Sequence, residues 1–159
     1  MMKKVVLILF VLLVSAGIQA QNKAVDKLFE KYSGKDGITS VVITKHMFSL
    51  FSQVETTEDD EYMNMIKNLN NIRILSAPGG SGINFMKELG GQLPEKEYEE
   101  LMVIKDGSQD VKFLVKENEG KVVELIMIVS GPEDNVLISI TGLIDMQTVA
   151  KLSKSMNLE

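Results

Sequence analysis

Apolar positions recur at helical spacing along the first half of the chain and at every second position along the second half. Val25, Leu28, Phe29 and Tyr32 fall at i, i+3, i+4 and i+7, which predicts a helix over residues 24–32. The turn-forming run Ser33-Gly34-Lys35-Asp36-Gly37 closes it, and the β-branched stretch Ile38–Thr44 predicts a strand. Met47, Leu50, Phe51 and Val54 return to helical spacing. Thr56-Thr57-Glu58-Asp59-Asp60-Glu61 places a threonine three residues before an acid, a capping box that opens a third helix with Tyr62, Met65, Ile66 and Leu69 on one face. Asn70-Asn71 is read as its end and Ile72–Ala77 as a short strand. The loop Pro78-Gly79-Gly80-Ser81-Gly82 then leads to a helix carrying Phe85, Met86 and Leu89 and closed by Gly90-Gly91.

From Tyr98 the period shortens to two. Strands are predicted over Tyr98–Lys105, Asp110–Lys116, Lys121–Val129 and Asn135–Leu143, separated by Asp106-Gly107, Glu119-Gly120 and Gly131-Pro132-Glu133-Asp134. Connections this short join antiparallel neighbours, so residues 98–143 are expected to form a four-strand meander. Lys121–Val129 is apolar on both faces after Glu124, which marks a central strand with a layer on each side. Asp145 caps a last predicted helix with Met146, Val149, Leu152 and Met156 facing inward. The expected fold is α+β: the meander extended by one or two N-terminal strands, with helices packed on the sheet. Lys35-Asp36-Gly37 and Lys105-Asp106-Gly107 both precede strands, but no fixed period continues and the pair reads as turn punctuation.

The N-terminus changes the picture of where this domain works. Lys3 and Lys4 precede an unbroken apolar run, Val5–Val14, and small residues lead to a cut after Ala20. Ten apolar residues fall well short of the roughly 20 that span a membrane, so residues 1–20 are read as a cleavable signal peptide. Residues 21–159 then form a single α+β domain with no stable membrane insertion after cleavage, located in the periplasm or secreted. The chain has no cysteine, which removes lipid attachment, disulfides and thiolate metal sites together.

Without Lys3 and Lys4, 15 basic residues face 22 acidic ones, a net charge of −7, and Arg73 is the single arginine. An acidic chain with no basic cluster lacks what neutralising phosphates requires, so no nucleic-acid partner is expected.

Candidate chemistry is sparse. The Pro78–Gly82 loop sits between a strand and a helix, where phosphates are cradled in some folds, but it matches no phosphate-binding fingerprint. His46-Met47 and Met63-x-Met65 resemble thioether copper sites, yet Met47 and Met65 fall on apolar helical faces where methionine fills cores. The acidic runs Glu58–Glu61 and Glu95–Glu100 lack the pattern of a calcium loop. A nucleophilic triad would have to pass through His46, the only histidine, with Ser49 three residues on.

Leu28-Phe29-Glu30-Lys31-Tyr32-Ser33-Gly34-Lys35-Asp36-Gly37-Ile38-Thr39-Ser40-Val41 resembles the opening of an exported Bacteroidota family, domain of unknown function 4252. The resemblance continues through Tyr98–Met102 and Lys105–Gly107 and is clearest over Glu124–Gly131 and Leu137–Asp145. It implies an exported protein of this length, in a family whose members are often lipoproteins, and it carries no functional residues. Lacking an acylated cysteine, this chain departs from those members.

The sequence therefore assigns no catalytic, cofactor-binding or metal-binding residue and implies no cofactor. It predicts a non-enzymatic periplasmic binding or protein-interaction module for an envelope protein or small ligand. The alternatives are an envelope hydrolase or other enzyme using carboxylates or His46, and a methionine-based copper-binding protein.

Overall fold

Asn22 opens the first helix, α1 (Lys23–Tyr32), by accepting the free N–H groups of Ala24 and Val25 at 3.1 and 3.3 Å on its side-chain oxygen. This is seen in a computed structural model of the protein, which describes residues 22–53, 66–147 and 150. The expected inward face of α1, Val25, Leu28, Phe29 and Tyr32, is buried. The chain continues through β1 (Thr39–Thr44), α2 (Lys45–Phe51), β2 (Leu69–Pro78), a 3₁₀ turn (Gly79–Ser81) and α3 (Phe85–Gly90). Four strands follow: β3 (Glu99–Asp106), β4 (Gln109–Asn118), β5 (Lys121–Ser130) and β6 (Asp134–Ile144).

All six strands join one antiparallel sheet in the order β1-β2-β6-β5-β4-β3. The predicted meander is β3 to β6, and both N-terminal strands extend it through the pairing of β2 with β6. At the β4–β5 turn, Glu119 and Gly120 both have positive φ, +52° and +74°, the backbone whose twist matches that of the strands it joins. As expected, β5 is an interior strand, and Glu124–Val129 is buried without interruption.

The sheet has two apolar faces. Leu75, Leu114, Ile126, Ile128 and Leu137 point to the side where α1 and α3 pack with Val25, Leu28, Phe85 and Leu89. Tyr32 and Phe85 meet edge to face there, with ring centres 5.6 Å apart. On the opposite face Phe113, Leu125, Met127 and Ile140 cluster with Phe48 of α2.

Three expectations need correction. Asn70-Asn71 does not end a helix: both lie in β2, which begins at Leu69. Leu69 stands opposite Gly142 and Asn71 opposite Thr141, so Asn70 is the extra residue of a bulge. The spacing of α2 is helical, but Phe48 is its buried residue, whereas Met47, Leu50 and Phe51 are about half exposed. Helical spacing identifies an apolar stripe, and docking against β1 and β2 decides which side is covered. At the C-terminal end, Met146 is likewise exposed rather than inward. The signal peptide, most of the helix predicted after Thr56, and Val149, Leu152 and Met156 lie outside the described residues.

Candidate functional site

Two places on the sheet combine burial with unusual chemistry, one on each face. On the helix-covered face Glu124 is 3% exposed within the apolar centre of β5. One oxygen of its carboxyl group accepts the Tyr98 hydroxyl at 2.6 Å. The other faces the Asn22 amide at 3.3 Å and the Ser139 hydroxyl at 3.4 Å. Lys116 stands directly opposite on β4, but its ammonium group bonds Glu97 at 2.5 Å and lies over the Tyr98 ring. The carboxyl group is thus held by neutral donors. Because Asn22 also caps α1, the cluster ties the start of the first helix to the middle of the sheet.

Burial, the hydrogen bond to Glu124 and the nearby acidic charge all push the Tyr98 phenol well above its ordinary value. The folded state therefore keeps a proton that an unfolded phenol releases near pH 10.0. With the folded value raised, stability is fully present below that pH and falls as pH rises above it. Tyr32, raised by burial and by its bond to Glu88, acts in the same direction. Urea midpoints measured from pH 8 to pH 11 are expected to fall above about pH 10, and Tyr98→Phe should flatten part of that fall. An unchanged slope in the variant would assign the effect elsewhere.

The second place is on the opposite face. Cross-strand pairing sets Ile72 and Ile74 of β2 beside Ile140 and Ile138 of β6, and these beside Leu125 and Met127 of β5. With Phe113 of β4 they line a cavity of about 190 Å³ whose walls are hydrocarbon and thioether throughout. Phe113, Leu125, Met127 and Ile140 are buried, and the remaining three isoleucines are partly open. A wider and more open hollow of about 700 Å³ lies at the bulged end of the sheet, where Glu117 and Lys121 mix with Val122 and Leu143. The smaller cavity is the more enclosed of the two and the more uniform in chemistry.

The residues singled out from sequence are dispersed. His46 is exposed at the start of α2, and Ser49 donates its hydroxyl to the His46 backbone carbonyl at 2.8 Å rather than to the ring. In the glycine loop the Gly79 N–H bonds the Glu133 carbonyl at 2.7 Å, and Ser81 turns back to Pro78. That loop is a pinned turn. Glu97 and Glu100 pair with Lys116 and Lys112 on the sheet surface. Met63, Met65 and Glu58–Glu61 lie outside the described residues. Among the described residues no three His, Cys, Asp or Glu side chains converge as a metal site would require, and no helix is long and apolar enough to cross a membrane.

Sequence reasoning missed both places. The signal for the first was present: Glu124 is the one charged residue between Val122 and Val129, and a buried carboxyl group must find partners. For the second there was none, since its lining comes from four strands and reads as ordinary core. A family model described as Domain of unknown function (DUF4252) matches residues 32–152. No curated protein and no solved structure matches the chain.

Proposed function

We propose, for a chain that belongs to the DUF4252 family, an exported, non-enzymatic binding module that takes a small apolar ligand on the second face of its sheet. The observation that carries this reading is the cavity itself. An enclosed void of about 150 Å³ lined by Leu, Ile and Phe accepts benzene, and here the partly exposed Ile72, Ile74 and Ile138 leave a lining of the same chemistry open to an entering ligand. At about 190 Å³ the cavity here suits one aromatic ring or the end of an acyl chain. Its walls have no group to bind a polar ligand, and a strongly hydrated molecule would lose its water without compensation. The leader at residues 1–20 supports export, and an apolar ligand in the envelope would need such shelter from water. The hydrolase alternative would have to recruit a partner to His46 that the neighbouring Ser49 does not provide.

The test is a methyl NMR titration of the exported form with benzene and with n-hexane. Shifts are expected in the Ile, Leu and Met methyl groups of the cavity and not in those packed under α1. Ile74→Phe, which fills the space from a partly open position, should abolish them. Saturating benzene with no localised shift would end the proposal.

A further inference from the structure

We infer that the β1 edge of the sheet is the contact surface for a second copy of this chain, joined by antiparallel pairing of β1 with β1 about a two-fold axis. The two ends of the sheet are built differently. At one end, β3 carries Glu99, Glu100, Lys105 and Asp106, and a bulge at Leu101 breaks its register with β4. Charges and bulges of this kind are how edge strands avoid pairing with other chains. At the other end, β1 reads Thr-Ser-Val-Val-Ile-Thr, with no charge and no proline. Its register with β2 runs unbroken from Thr39 opposite Ser76 to Thr44 opposite Asn71. Among the described strands β1 pairs with β2 alone, so its outer row of N–H and C=O groups faces away from the sheet.

The apolar surface follows the same asymmetry. Of nine large hydrophobic residues exposed among the described residues, five fall between positions 41 and 51: Val41, Val42, Met47, Leu50 and Phe51. They cover both faces of β1 and the outer side of α2, the helix that directly follows it. A stable interface needs about 800 Å² from each partner, more than one six-residue strand supplies, so the α2 side chains are part of the surface.

The charges select a second copy as the occupant. Lys35, next to Asp36, is turned to the Tyr32 ring at 5.2 Å, so a two-fold antiparallel junction brings the Asp36 carboxylate at one end of β1 toward Lys45 at the end of the other, with an uncharged strand between. The two-fold axis of such a junction stands perpendicular to the sheet, so both sheets keep the same face uppermost. Phe48 places α2 on the cavity face, so each α2 stands on that side at its own Lys45 end of the junction, beside the Asp36 end of the partner's β1. The contact is isologous and closes after two chains.

Sedimentation velocity on the exported form should show dimer at about 100 µM and dissociation on dilution. Val42→Glu is expected to weaken the dimer at least tenfold, about 1.4 kcal/mol, because a carboxylate would be buried against the partner strand. Val42 is 56% exposed on the edge strand, so in the monomer the new carboxylate stays in water and the fold is kept. Val103→Glu is the matched control: it sits on the other edge strand, opposite Lys112, and should leave the dimer intact. Hydrogen exchange of the β1 amides should slow as concentration rises. A monomer at about 500 µM, well above the expected transition, would overturn the inference. So would equal dimerisation of Val42→Glu and the parent, or β1 amides protected at every concentration by the chain's own residues.

Discussion

Replacing Gly142 by alanine is expected to cost on the order of 4 kcal/mol or more, enough to unfold a domain of ordinary stability. Gly142 has φ +141°, a conformation that residues with a side chain rarely adopt. An added Cβ would stand 2.6 Å from the Leu69 Cα and 2.9 Å from the Asn70 nitrogen, and closer still to the Asn68 carbonyl. Every one of these atoms is backbone, so no side chain can rotate away. Relief would require β2 to move off β6 at the bulge, and the Leu143 N–H bond to Asn68, 2.9 Å long, would go with it. Urea unfolding of Gly142→Ala beside Leu143→Ala, a half-exposed neighbour expected to change stability by under about 0.5 kcal/mol, measures the difference. A variant within that margin of the parent would show that the two strands can separate without penalty.

The second large effect is expected at Glu124. Leucine in its place keeps most of the volume but removes the acceptor from Tyr98, Asn22 and Ser139 together. A buried donor left unpaired costs about 1–3 kcal/mol. The 2.6 Å bond to Tyr98 dominates, because the contacts at 3.3 and 3.4 Å are at the long limit for hydrogen bonds. A loss on the order of 3 kcal/mol is expected for Glu124→Leu and on the order of 1 kcal/mol for Glu124→Gln, which retains an acceptor. The double variant with Tyr98→Phe should be more stable than the sum of the single losses allows, because neither partner is then orphaned. Strict additivity in that cycle would deny the Tyr98–Glu124 bond any role in stability.

Both positions show where reading the sequence stops. The meander could be read because alternation, Asp-Gly and Glu-Gly turns and chain adjacency are all local, and each strand begins and ends within two residues of its prediction. The bulge at Asn70 could not. Its cause is the approach of Gly142 on a strand far along the chain, and two adjacent asparagines suit a helix end equally well. α2 makes the same point differently: its apolar residues were visible, but the choice of Phe48 over Met47, Leu50 and Phe51 is made by β1 and β2. At Glu124 the residue stood out, while its partners lie 15, 26 and 102 positions away. The cavity is a property of four strands in register and has no sequence signature.

The ladder between β2 and β6 also governs the order in which the molecule can assemble. It joins residues more than fifty positions apart, from Pro78 with Asp134 to Leu69 with Gly142, whereas every other ladder connects strands that follow one another in the chain. The meander can therefore close by successive short loops, while β1 and β2 must wait for the last strand of the sheet. Long-range pairings of this kind slow folding, because a large loop is closed before any contact rewards it. For a chain that emerges N-terminus first, the half made earliest is the half that docks last.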